Sequence, residues 1–180
     1  MLKKENFFKN YFSDLKTHNK NLHKTKKAFN SLRSDLEKNR IPMLTSYEKD
    51  YKYNFTSSTI KKFSKYKNII IIGMGGSILG TKSIYSFFKN KIKKKVFFFD
   101  NLDVDLHLKF FKIKNIRNSC FIVISKSGNT LETIVNFSII FSKTELKNKL
   151  IFITELKNSS LMKIANQLNA DVIQHNDLVG

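Results

Sequence analysis

Two short stretches of this chain hold residue types suited to gripping an anion. The first is Gly73-Met74-Gly75-Gly76-Ser77-Ile78-Leu79-Gly80, and the second is Ser125-Lys126-Ser127-Gly128-Asn129-Thr130. Each directly follows a short apolar run, "NIIII" at 68–72 and "CFIVI" at 120–124, and directly precedes a helical pattern. Glycine lets a backbone approach a ligand closely. A helix start presents unpaired N–H groups and a partial positive charge. The hydroxyls of Ser77, Ser125, Ser127 and Thr130 and the ammonium of Lys126 add side-chain donors of the kind that hold one phosphate group. No Cys/His cluster has metal-ligand spacing, so no metal is expected from these residues. His18, His23, His107 and His175 stand singly, as surface or cap residues do.

Taken apart, the two stretches are ambiguous. The first resembles the opening of a dinucleotide site, and Asp100 ends the next apolar run, where a ribose-binding acid would lie. Against this, Ile78 stands where the third glycine of Gly-x-Gly-x-x-Gly belongs. A glycine turn with no ligand is the plain alternative. In the second stretch, Asn129 and Glu132 have the spacing of a capping box, with asparagine in place of Ser or Thr. Capping and phosphate binding are compatible, because both use the same helix start.

The elements around these stretches decide how they meet. Strands are expected at 68–72, 96–100, 119–124, 149–154 and 170–175. Helices are expected at 77–88, 103–112, 130–143 and 159–168 between and after them. Alternating strands and helices mean an α/β protein: a five-stranded parallel sheet in a three-layer αβα sandwich. In a flavodoxin-like strand order of 2-1-3-4-5, strands one and three are neighbours whose outgoing chains diverge. Both stretches then meet at that switch point, and a sugar-phosphate grip becomes the better reading of the pair.

Ahead of the sheet, residues 1–65 read as a helical N-terminal segment, and 66–180 as the phosphate-binding domain. Phe7, Phe8, Tyr11, Phe12 and Leu15 fall at helical spacing, as a packing face would. Leu22, Phe29, Leu32 and Leu36 mark a second helix that stops before Ile41-Pro42. Thr56, Ser57 and Ser58 offer an N-cap for a short helix near 61–65.

Composition excludes some functions. No apolar run approaches the ~20 residues of a membrane helix. Glu5, Asn6, Lys9 and Asn10 interrupt any secretory core at the start, so a cytoplasmic location is expected. The single cysteine, Cys120, lies in a strand pattern and reads as a buried structural thiol. The net charge of +19 invites nucleic-acid binding. The only arginines are Arg33, Arg40 and Arg117, while the lysines are scattered among many Asn, Ile and Phe. That bias suits an AT-rich genome better than a selected surface, and nucleic acid is not expected as the main partner.

"GMGGSILG" with "SKSGNTLET" resembles the sugar isomerase (SIS) domain of the glucose-6-phosphate isomerase family. The likeness covers about 66–180, and the ending "HNDLVG" favours this family among SIS proteins. Carried over by motif position, it implies phosphate contacts from Gly76, Ser77, Ser125, Lys126, Ser127 and Thr130. It implies interconversion of glucose 6-phosphate and fructose 6-phosphate, a step of glycolysis and gluconeogenesis. A general base moves a proton between C2 and C1 through an enediol, without a cofactor. It also implies a homodimer. The family's base glutamate, ring-opening histidine, arginine and lysine lie beyond the position of Gly180, so no catalytic residue is assigned. Glu132 is a poor substitute given its expected capping role. The chain is therefore expected to be the N-terminal phosphate-binding part of a longer enzyme, inactive alone. The competing expectation is a stand-alone SIS module that senses a sugar phosphate and regulates a partner. A nicotinamide-dependent oxidoreductase is a third.

Overall fold

The computed structural model describes residues 14–144 and 149–177. The chain divides into two units between Tyr51 and Lys52. In the first, α1 (Leu15–Glu37) is one helix of 23 residues. Asp14 caps it, accepting from the N–H of Lys16 at 2.9 Å and of Thr17 at 3.1 Å. Leu22, Phe29, Leu32 and Leu36 all lie on this helix, which ends before Ile41-Pro42 as their spacing predicts. Pro42 opens a 3-10 helix, Pro42–Tyr47, where its preset φ fits the first turn. The aromatic stripe of Phe7, Phe8, Tyr11 and Phe12 lies outside the described residues.

The second unit runs α2 (Ser57–Ser64), β1 (Asn68–Gly73), α3 (Gly76–Phe88), β2 (Lys95–Phe99), α4 (Val104–Phe111), β3 (Ser119–Ile124), α5 (Leu131–Phe141), β4 (Leu150–Thr154), α6 (Ser160–Gln167) and β5 (Asp171–Gln174). All pairings are parallel, in the order β2-β1-β3-β4-β5. The α/β class, the strands and the switch between β1 and β3 are those expected from the alternating pattern. The short helix α2 falls inside this unit rather than ahead of it. Its Phe63 joins a core cluster with Tyr66, Cys120 and Ile151, and its Lys62 pairs with Asp171 of β5 at 2.5 Å.

Strand residues alternate between two cores, which makes three layers. Ile70, Ile72, Phe121, Val123 and Phe152 face Phe110 of α4, Phe137 and Ile140 of α5 and Leu161 and Ala165 of α6. On the other face, Cys120 and Ile151 pack with Phe63 of α2, while Ile71 and Ile124 pack with Ile78 of α3. Burial on both faces is why these strands read as continuous apolar runs. A fully buried Phe or Ile side chain contributes roughly 1.5–3 kcal/mol, so the central strands anchor the loops they emit. No helix among the described residues is long and apolar enough to cross a membrane.

Candidate functional site

The final pair of the β1–β3 register is Gly73 with Ile124, so both strands release their loops side by side. At Gly73 a Cβ would stand 3.0 Å from the carbonyl oxygen of Ile124, which keeps the two strand ends close. Gly75 has φ +54 and ψ −129, a conformation that glycine adopts without strain, and it turns the chain straight into α3. The carbonyls of Met74 and Gly75 receive the N–H groups of Ser77 and Ile78 at 3.2 and 3.1 Å. The N–H groups of Gly75 and Gly76 find no acceptor among the described residues. Both glycines are exposed, and Ser77 is half-buried.

The second loop is stitched to itself. Ser125 is buried, and its Oγ lies 2.9 Å from Thr130 Oγ1 while accepting the Gly128 N–H at 3.2 Å. The Asn129 N–H donates to Ser127 Oγ at 3.3 Å. Lys126 is half-buried, and its ammonium is in no ion pair among the described residues.

Helix capping separates these two loops from the others. Of the six α-helices among the described residues, four have a side-chain cap: Asp14 on α1, Thr56 on α2, Asp103 on α4 and Ser159 on α6. The two without one are α3 and α5, which follow the candidate loops. The N–H groups of Leu131, Glu132 and Thr133 are left without acceptors, as the opening turn of an uncapped helix must be. Two uncapped, electropositive helix starts thus lie at the ends of adjacent central strands.

The expected capping box does not form. Thr130, not Asn129, is the N-cap residue of α5, and its side chain makes no cap bond. Gly128, at φ +67, redirects the chain so that Asn129 Oδ1 accepts the Ser160 N–H of α6 at 2.9 Å. The Asn129 N–H is engaged by Ser127 instead of Glu132.

That contact belongs to a clasp which local sequence patterns do not show. The Ser125 N–H donates to Ile153 O at 3.1 Å, the Glu155 N–H to Lys126 O at 3.1 Å and the Leu161 N–H to Gly128 O at 2.9 Å. Thr154 Oγ1 donates to Lys126 O at 3.3 Å. The β4–α6 segment therefore holds the second loop along nearly its whole length. Glu155 sits beside it, 5% exposed, with Lys157 Nζ 2.8 Å from its carboxylate. The Lys157 hydrogen bond holds that carboxyl below its usual range; burial opposes this, and the charges of Lys157, Lys126 and His175 add to it. The one local hint of the clasp is the pair Ser159-Ser160 after a strand, which reads as an N-cap.

Two other expected residues are accounted for. Asp100, the possible ribose acid, is held by Lys82 Nζ at 2.5 Å, which argues against a ribose there. Cys120 is 3% exposed, and burial pushes its thiol up to about 11, as a structural thiol requires. Among the described residues no cluster could hold a metal ion.

Comparison with known proteins adds the following. The phosphoglucose isomerase family model matches residues 23–166. The glucose-6-phosphate isomerase of Methanocaldococcus jannaschii is 38% identical over 128 residues, which is 69% of this chain and 31% of that protein. That of Borreliella afzelii is 40% identical over 127 residues, 61% of this chain and 24% of that protein. Among solved structures, a glucose-6-phosphate isomerase from Chlamydia trachomatis superposes with a TM-score of 0.57 at 25% identity, over 66% of this chain and 24% of that one. A hypothetical protein from Thermus thermophilus shares the fold, with a TM-score of 0.60 at 19% identity over 86% of this chain and 42% of its own. The chain spans about a quarter to a third of the length of the curated relatives it matches.

Proposed function

The chain belongs to the phosphoglucose isomerase family, and from that premise we propose that its two loops hold the phosphate of glucose 6-phosphate and fructose 6-phosphate during their interconversion. The observation that carries this reading is the pair of uncapped helix starts, α3 and α5, at the ends of neighbouring strands β1 and β3. Gly76 contributes a backbone N–H and Ser77 a hydroxyl from the first loop. Ser125, Ser127 and Thr130 contribute hydroxyls, and Lys126 an ammonium, from the second. Dianionic phosphate oxygens accept from all of these donors.

Each hydrogen bond to a charged group contributes roughly 1.5–3 kcal/mol. Spent on a phosphate remote from C1 and C2, that energy positions the reacting carbons for proton transfer. The grip is the part of the reaction that these residues perform. Isomerisation is proposed for the whole protein, with the proton-transfer groups supplied from outside the loops described here. A cytoplasmic location belongs to the same reading, supported by a lone buried cysteine with no partner for a disulfide. So does a homodimer, which the family resemblance implies and sedimentation velocity tests.

Calorimetry with glucose 6-phosphate, fructose 6-phosphate and inorganic phosphate tests the grip. Ser125→Ala and Lys126→Ala are each expected to weaken sugar-phosphate binding by roughly ten- to a hundredfold. If neither variant binds more weakly than the parent, the loops are not the site. A coupled assay on the 180-residue polypeptide is expected to show no substantial turnover, and brisk turnover would contradict that division of labour.

A further inference from the structure

At the opposite end of the sheet lies a crevice that the sugar-phosphate reading does not use. It has a volume of about 640 Å³ and sits where β1 and β2 begin, beside the Asn68–Lys95 pair that opens their register. Lys65, Lys67, Lys93, Lys94, Lys95 and Lys114 line it, and no acidic residue does. The six come from three separate segments: the end of α2, the approach to β2 and the turn after α4. With β1 rising about 3.3 Å per residue, the crevice lies about 20 Å from the loops at the other end of that strand.

The lysines differ in role. The Lys94 ammonium is structural: it donates to the carbonyl of Ser64 at 2.5 Å and to that of Tyr66, closing off the end of α2. Lys65 stands over the Tyr66 ring, 5.4 Å from its centroid. Neither these two nor Lys67, Lys93, Lys95 and Lys114 enter an ion pair; the pairs among the described residues use Arg33, Lys62, Lys82 and Lys157. Five exposed lysines other than Lys94 thus border one cavity whose lining holds no carboxylate.

We propose that this crevice is a second anion site, fitted to a compact chain of phosphates. A single phosphate monoester carries at most two charges and would leave most of these lysines unbalanced. The cavity volume is that of a small-molecule site. Nucleic acid is the less suitable occupant, because the lining holds no arginine fork and Tyr66 is only 8% exposed, with no open face for a base to stack on. Lysine point charges need only phosphate oxygens.

The test uses inorganic tripolyphosphate as the probe, titrated by calorimetry with glucose 6-phosphate present in excess. The triple variant Lys67→Ala, Lys95→Ala, Lys114→Ala removes exposed side chains and spares Lys94. It is expected to weaken tripolyphosphate binding at least tenfold. A charge-matched control, Lys24→Ala, Lys26→Ala, Lys27→Ala, all exposed on α1, is expected to leave it within twofold, as is Ser125→Ala. The proposal is overturned if the control weakens binding as much as the crevice variant, since diffuse charge then explains it. It is equally overturned if Ser125→Ala abolishes binding, which would place the probe in the loops. Tenfold tighter binding of single-stranded polyuridylate through the same lysines would assign the crevice to RNA and refute the polyphosphate reading.

Discussion

Replacing Gly128 by alanine is the most searching perturbation of the candidate site. Gly128 has φ +67, where an L side chain costs about 1–2 kcal/mol. An added Cβ would also stand 2.2 Å from Ser159 Oγ, 2.7 Å from Ser159 Cβ and 2.8 Å from Thr154 Oγ1. Neither neighbour can withdraw freely, since Ser159 Oγ accepts the Met162 N–H as the cap of α6 and Thr154 Oγ1 donates to Lys126 O. Crowding of this kind costs about 1–3 kcal/mol. The expected loss is therefore about 2–5 kcal/mol, a large share of the roughly 5–15 kcal/mol that holds a domain together. In urea the midpoint should fall by on the order of 1–2 M. Gly128→Ala combined with Ser159→Gly removes the nearest clash at little cost to the cap, and should regain about 1 kcal/mol or more while the φ strain remains. If Gly128→Ala unfolds at the parent's midpoint, or the double variant is weaker than the single, the clasp does not constrain this loop as described.

Two further outcomes follow from the same geometry. Asn129→Ala leaves the Ser160 N–H without its acceptor and should cost about 1 kcal/mol by urea unfolding, whereas a capping-box role would instead show as a loss confined to α5 protection in hydrogen exchange. Glu155→Gln tests the depressed carboxylate. A folded-state pKa below the unfolded value contributes stability above that unfolded value and loses it as pH falls through the folded one. The parent should thus be more stable than Glu155→Gln at neutral pH, and the gap should close below the ordinary carboxyl value of 4.5, followed by thermal melts across the acid range. A gap that is constant with pH would mean the Lys157 pairing contributes nothing to the fold.

Much of this architecture is written in local windows of the chain. Isoleucine and phenylalanine runs bounded by Gly or Ser declare strands buried on both faces, and the alternation with helical spacing declares the parallel sheet. Glycines and hydroxyls placed right after the first and third of those runs mark the two loops that leave neighbouring strands. These signals survive in a linear reading because each depends on neighbours within a few residues.

The outcome of competition between distant partners is not legible in that way. Asn129 has the spacing to cap its own helix, yet its oxygen is taken by Ser160, 31 positions on, because Gly128 turns it toward α6. The uncapped state of α3 and α5 emerges only when every candidate donor and acceptor is placed in space. Lysines scattered along the chain look like compositional bias until the sheet gathers Lys65, Lys67, 93–95 and Lys114 around one crevice. Local pattern selects which elements form and which loops face the strand ends. Packing then decides which polar groups are consumed within the protein and which are left for a ligand, since a hydrogen bond is claimed by proximity in three dimensions rather than by order along the chain.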